Sequence, residues 1–381
     1  MIIQSKRVWI ASQFIAAQIE IIKDKIVAIY NYNEKPVDKD YQNLRIVPGF
    51  IDIHCHGAYG FDTNYAKEDG LKMWMKKLPS EGVTGFLPTT ITESHEVLVK
   101  AVENIKYVYD QNPEGSEILG IHFEGPFLNM KFKGAQPPEY IVKGSIEEFK
   151  QYQKAAGGLI KIITLAVEED DNFELTHYCA EHNVVVSMGH SNATYQEALM
   201  GVANGAKSFT HTYNGMSRFS HREPNLVGAA FRFKDVFSEV ICDGNHSNVN
   251  SLNILFAAKE ADRVIMMTDS LMAKGHPAGC KFNFGGHEIE IYEDGSAHLT
   301  DAGKSLAGST LKMNQGLKIL VEEADVPFRK ALNSCTLNPA TLLNINDHKG
   351  AIQVSYDADL VVLKDNYDVK STFCKGKVYE F

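Results

Sequence analysis

Between residues 50 and 349 the chain repeats one pattern, in which a short apolar run ends in a polar residue and gives way to a helix-length segment. That alternation is the mark of a parallel α/β fold. Eight strands can be placed: RIVPGFIDIH to His54, TGFLPTT to Thr90, ILGIHFE to Glu124, IKIITLA to Ala166, VVVSMGH to His190, AKSFTH to His211, FSEVICD to Asp243 and VIMMTD to Asp269. Segments such as SHEVLVKAVENIKYVY, TYQEALMGVANG and NVNSLNILFAAKEA read as helices, with Ser94, Thr194 and Asn248 as N-caps. LKMWMKKL reads as a helix face packed on the strands. Eight strand–helix units in about 250 residues is the count of a TIM-like (β/α)8 barrel. Residues 1–49 and 350–381 share a different texture, short apolar stretches broken by polar residues and turns. They predict a small β-sandwich built from both termini, with 50–349 as the barrel. The stretch CKFNFGGHEIEIYEDGSAHL reads as a β-hairpin insertion around EDG.

Residues suited to binding metal follow the apolar runs repeatedly: His54 and His56, Glu124, His190, His211 and Asp269. In a barrel, strand C-terminal ends converge on one mouth, so residues far apart in sequence can meet there. His54 and His56 are two apart on a strand and point to one side, with Cys55 on the other. Imidazole and carboxylate together suit zinc or iron, with manganese or cobalt as alternatives. For Asp269 alone, a helix N-cap in TDS is the structural alternative. His122 shares a strand face with Glu124, which fits either support of the ligands or core packing.

The order HxH on strand one, His on strands five and six and Asp on strand eight resembles the amidohydrolase superfamily. Many members bridge two metals with a modified lysine ending strand four. Here the only lysine of that strand, Lys161, lies at the wrong end, and Glu124 on strand three can supply the bridging oxygens. The segments PGFIDIHCHG, GIHFEGPFLN, SMGHSNATY, FTHTYNGMS, HREPNLVGAAF, CDGNHSN and LAGSTLKMNQGL, across most of 46–345, resemble the N-acetylglucosamine-6-phosphate deacetylase family. The resemblance implies hydrolysis of N-acetylglucosamine 6-phosphate to glucosamine 6-phosphate and acetate, in amino-sugar catabolism or cell-wall recycling, by a homodimer. It implies a principal metal site of Glu124, His190 and His211, a second completed by His54 and His56, and Asp269 as acid/base and ligand. One or two divalent ions per subunit are expected.

A phosphorylated sugar needs cationic or donor groups. Arg222, in HREPN, offers a forked donor suited to phosphate, its alternative being a surface ion pair with Glu223. His246 is a second candidate by resemblance. Asn214 and Gly215 could present a side-chain amide and a backbone N–H. Leu306, Ala307 and Gly308 would close over the sugar. Where part of the family carries a histidine, this chain reads KGAQPPE, placing Ala135 and Gln136 beside the substrate. Glutamine hydrogen-bonds but carries no charge, so heavier reliance on metal is expected.

Charge bounds the partners. With 38 basic and 48 acidic side chains the net charge is −10, which disfavours nucleic acid and anionic membrane as partners. No run of about 18 apolar residues suggests a membrane span. Six scattered cysteines read as reduced thiols, so a cytoplasmic location is expected. The alternatives are a related amidohydrolase for N-acetylgalactosamine 6-phosphate or another amide, and a non-catalytic sugar-phosphate sensor.

Overall fold

The computed structural model describes residues 1–259, 262–300 and 305–381. Eight parallel strands follow one another where the apolar runs predict them: β1 Phe50–Cys55, β2 Val83–Pro88, β3 Ile121–Glu124, β4 Ile160–Leu165, β5 Val185–Met188, β6 Ser208–Phe209, β7 Phe237–Ile241 and β8 Val264–Met267. A helix follows each of the first seven: α1 Glu68–Lys77, α2 His95–Gln111, α3 Ile146–Ala155, α4 Glu174–Glu181, α5 Tyr195–Ala203, α6 Asn225–Arg232 and α7 Val249–Ala258. Strands β3 to β8 pair in sequence order, and β1 pairs β2. A parallel bridge between Thr89 and His122 links β2 to β3, and one between Cys55 and Ser270 joins β1 to the segment after β8. The parallel sheet is thus curled so that its first and last strands meet, reinforced by Asp52, which accepts from Thr268 Oγ1 at 2.6 Å.

Strand periodicity sorts the side chains into two environments. Ile163 and Leu165 on β4, Val186 and Met188 on β5 and Val240 on β7 face the helices in the largest core cluster, which also takes Leu71, Trp74 and Met75 from α1. The other face changes character along the strand. Ile162, Val185 and Phe237 form an apolar layer with Ala340 and Leu342. Two residues further on, Thr164, Ser187 and Glu239 form a buried polar layer. Thr194 makes a full capping box with Glu197 and Asn248 caps Asn250, whereas Ser94 stands at the start of α2 without a side-chain cap bond.

The termini combine into one eight-stranded sheet. Its path runs Lys377–Glu380, Val369–Cys374, Leu360–Leu363, Arg45–Pro48, Ile2–Ile10, Gln13–Ile22, Lys25–Asn31, with Lys39–Asp40 beside Ile2–Ile10. Leu360–Leu363 pairs antiparallel with Arg45–Pro48, so the chain ends are knitted together at the centre of that sheet. Alternation again divides the faces: Ile46, Leu360 and Val362 bury in a separate cluster with Ile3, Ile19 and Phe373, while Val47, Val361 and Leu363 face the main core. The EDG segment is one turn of a larger unit. Lys281–Phe284, His287–Ile291 and Ala297–Leu299 form a three-stranded antiparallel sheet. The turn missed by sequence is Gly285-Gly286, both at positive φ (59° and 81°), the conformation a two-residue hairpin demands.

A buried charge cluster ties the C-terminal segment to the parallel sheet. Lys349, only 4% exposed, reaches Asp359 at 2.6 Å, Asp357 at 2.8 Å and Glu117 at 2.9 Å. Lys25 and Lys375 complete it from outside. Removing the central cation leaves buried carboxylates undercompensated, which costs about 3–5 kcal/mol. Lys349→Met should therefore lower the urea midpoint by that equivalent; a midpoint within error of the parent would refute the assignment.

Candidate metal centre and substrate cavity

The six polar residues singled out at the strand ends converge. His54 lies inside β1 and His56 one residue past it, with Cys55 turned away, its Sγ 3.5 Å from Leu87 O. Glu124 is the last residue of β3. His190, His211 and Asp269 each stand two residues beyond β5, β6 and β8, in the left-handed region at φ 45°, 31° and 50°. At Gly215 (φ +57°) the neighbouring loop clears them, since a Cβ there would come within 3.1 Å of His190 Nδ1.

Hydrogen bonding fixes which atoms face inward. His190 Nδ1 lies 2.8 Å from Phe132 O and His211 Nδ1 2.9 Å from Asn214 O. A carbonyl only accepts, so each Nδ1 carries the hydrogen and each neutral ring presents its Nε2 lone pair to the cluster. Those two Nε2 atoms are 3.1 Å apart, and Glu124 Oε1, buried and without a hydrogen-bond partner among the described residues, is 3.5 Å and 3.3 Å from them. Three acceptors facing one another at contact distance require a cation between them. A tetrahedral ion with bonds of about 2.0–2.1 Å sets its ligands about 3.3–3.4 Å apart, so the set fits a divalent metal. The second set matches as well: His54 Nε2 to His56 Nε2 3.4 Å, His54 to Asp269 Oδ1 3.6 Å and His56 to Asp269 Oδ1 3.1 Å. Glu124 touches both sets, Oε1 lying 3.4 Å from His54 and Oε2 3.4 Å from His56.

Without a metal, protons satisfy the cluster. Burial disfavours a charged His211, but the Glu124 carboxylate 3.3 Å from its Nε2 and the further carboxylate charges outweigh this and push it up to about 9. His56 is likewise pushed up to about 9, its burial overcome by Asp269 and Glu124. Burial prevails at His54, which falls to about 4 and stays neutral. Both carboxylates remain charged despite burial, because the imidazoles hold Glu124 well below its usual range and Asp269 at about 2.

Gln136 supports the ligands. Its Nε2 donates to Glu124 Oε2 at 2.7 Å while its Oε1 accepts from Thr92 N at 2.8 Å, so a backbone amide orients the glutamine and the glutamine holds the carboxylate. His122, Glu239 and His54 also cluster within ligand distance. His122 is excluded as a ligand because both its nitrogens are engaged, Nδ1 with Ile53 O at 2.9 Å and Nε2 with Thr164 Oγ1 at 2.7 Å. Glu239 was not singled out by sequence reasoning. The signal was there, a lone carboxylate inside the apolar run FSEVICD.

Above the cluster lies a cavity of about 260 Å³. It is lined by His56, Glu124, His190, His211 and Asp269, and by the expected substrate-side residues Ala135, Gln136, Asn214, Gly215, His246, Leu306, Ala307 and Gly308. Phe284 and Ile91 add an apolar wall. His246 Nδ1 is held by Asp243 at 2.7 Å, which turns Nε2 away from that bond, and Asn214 Nδ2 is buried without a partner among the described residues. Arg222 differs from expectation: it is exposed on the loop before α6 and does not line the cavity.

The amidohydrolase family model matches residues 45–379. The N-acetylglucosamine-6-phosphate deacetylase of Bacillus subtilis (strain 168) is 40% identical over 351 residues, 91% of this chain and 88% of that protein. The chain belongs to the amidohydrolase family, in its N-acetylglucosamine-6-phosphate deacetylase branch. The crystal structure of N-acetylglucosamine-6-phosphate deacetylase from Pasteurella multocida matches this amidohydrolase with a TM-score of 0.92 at 28% identity, over 100% of both chains. An N-acetylgalactosamine-6-phosphate deacetylase of Escherichia coli O157:H7 is 29% identical over 96% of this chain and 95% of that protein.

A metal entering the site must displace the protons on His56 and His211. Adding zinc to metal-free protein at pH 7 should release protons, up to two per chain. Because both groups sit near 9, apparent affinity should climb from pH 7 to about 9 and level off above. A weakly buffered titration with a pH indicator reads this, and uptake without proton release would contradict the assignment.

Proposed function

We propose that this amidohydrolase hydrolyses the acetamide of N-acetylglucosamine 6-phosphate to glucosamine 6-phosphate and acetate. The observation that carries the reading is the meeting of two ligand triplets at Glu124, on the wall of a cavity with free donors for a phosphorylated sugar. Glu124, His190 and His211 would hold one divalent ion and His54, His56 and Asp269 a second, zinc or iron by ligand chemistry, with manganese or cobalt as alternatives. A bound cation supplies the positive charge that polarises an amide carbonyl and acidifies water. Asp269, held charged beside His54 and His56, accepts the proton of the attacking water as the new C–O bond forms. It returns that proton to the nitrogen as the C–N bond breaks. Gln136 gives one of its two amide hydrogens to Glu124 and so steadies that ligand.

On the substrate side, His246, Asn214 and the Gly215 backbone are assigned to the phosphate and sugar, with Leu306, Ala307, Gly308 and Ala135 enclosing the ring. Arg222 serves as an outer cation for the approaching anion, consistent with its exposure. The curled sheet is read as a closed (β/α)8 barrel over 50–349, supported by the contact between its first and last strands. Residues 1–49 and 350–381 are read as a small β-sandwich around their own core cluster. A homodimer in the cytoplasm completes the reading; six free thiols suit that compartment, and among the described residues no helix is long and apolar enough to cross a membrane.

Acetate release from N-acetylglucosamine 6-phosphate by metal-loaded protein is the test, and its absence would end the reading. The galactosamine epimer is the second substrate to compare, by kcat/KM. Asp269→Asn should leave sugar-phosphate binding in place while kcat falls about 10²–10⁴-fold. His246→Ala should act mainly on KM for the phosphorylated sugar, with the unphosphorylated sugar little affected.

A further inference from the structure

Beneath the metal-binding residues lies a polar layer that the mechanism above does not use. Glu239, on β7, is fully buried, where a carboxylate is retained only with specific partners. Its Oε2 lies 3.2 Å from His54 Nδ1. Its Oε1 accepts from Ser187 Oγ at 3.1 Å and Ser208 Oγ at 3.4 Å, and Thr210 Oγ1 donates in turn to Ser187 at 2.7 Å. The hydroxyls donate to Oε1, and the Oε2 of a carboxylate can only accept. His54 must then carry its hydrogen on Nδ1, and its Nε2 lone pair is left facing Asp269, His56 and Glu124.

His190 and His211 have the same requirement and meet it with backbone carbonyls. His54 is the exception, because its Nδ1 points down into the sheet interior, where Glu239 is the acceptor. The backbone carbonyl nearby, Ile53 O, is already taken by His122 Nδ1.

We propose that Glu239 is the positioning residue of His54: it fixes the ring's tautomer and direction, and thereby sets how tightly the second metal position, His54, His56 and Asp269, is filled. The proposal rests on the two-ion reading above. It concerns the second ion, since His54 is not a member of the first triplet.

Metal-free full-length parent, Glu239→Ala, Glu239→Gln and His54→Ala would each be titrated with zinc against a chromophoric chelator, and their folding checked by urea denaturation. The parent should take up two equivalents. Glu239→Ala should keep the first and bind the second about 10–100-fold more weakly, the usual cost of losing a histidine's hydrogen-bond partner. Glu239→Gln, whose amide oxygen can still accept from Nδ1, should recover part of that loss. Should the alanine variant fail to fold, Ser187→Ala, which frees Oε1 of one donor, should shift the second equivalent in the same direction by less. In ¹⁵N spectra of the histidine side chains, His54 should show a protonated Nδ1 in the parent and a mixture of tautomers in the variants, which a merely structural role would not produce. Equal weakening of both equivalents, or none in either variant, would overturn the proposal. A parent that binds no zinc, or one equivalent indifferent to His54→Ala, would defeat the metal reading itself and the proposal with it.

Discussion

Everything at the mouth of the sheet depends on keeping one carboxylate charged where water cannot reach it. Glu124 is 2% exposed, with one oxygen taken by Gln136 and the other lacking a hydrogen-bond partner among the described residues. An isolated buried carboxylate costs several kcal/mol, so the fold tolerates it only with positive charge close by. Three imidazole nitrogens within 3.5 Å of Oε1 supply the surroundings for that charge, whether protons or a metal ion carries it. The nitrogens come from β1, β5 and β6, so no local stretch of chain can build the site. It exists only because the sheet curls.

The curl is encoded in layers. On β4, β5 and β7 a single strand face passes from Ile162, Val185 and Phe237 to Thr164, Ser187 and Glu239, then to the cavity wall at Ile241. The apolar layer supplies the packing that holds neighbouring strands in register. The polar layer above it orients the ligands, because hydroxyls and a carboxylate direct hydrogen bonds that aliphatic groups cannot. A uniformly apolar interior would pack equally well and leave His54 without an acceptor for its second nitrogen.

Much of this was legible in the sequence, for a physical reason. Burial on a parallel strand forces an apolar run, and exit into the mouth permits a polar residue, so His54, Glu124, His190, His211 and Asp269 announce themselves by position. Glu239 did not, because its worth depends on Ser187, Ser208 and His54 standing across from it on three other strands. Gln136 was placed beside the substrate by resemblance, but its bond to Glu124 lies in a loop whose path the sequence does not dictate. Arg222 was expected from phosphate chemistry together with the HREPN segment, and neither dictates the path of the loop that carries it. The Gly285-Gly286 turn was open to reading and was passed over for the EDG turn that begins at Glu293.

The backbone carries a cost that the side chains alone do not reveal. His190, His211 and Asp269 all adopt the left-handed conformation, which costs a non-glycine residue on the order of 1–3 kcal/mol. Nothing in their own side chains favours it as strongly as glycine would. The surroundings impose it: Asp269 N donates to His54 O at 2.8 Å and Asp269 O accepts from Ser309 N at 2.7 Å, while Asn129 N donates to His190 O at 2.9 Å. Those bonds lock the chain into a sharp turn just past each strand, and the turn aims the side chain across the mouth. The strained backbone is the cost of aiming these side chains, and the positive charge brought by protons or by a metal ion offsets the lone pairs they turn towards one another. Stability taken from the packed layers below is thus spent at the strand ends on geometry.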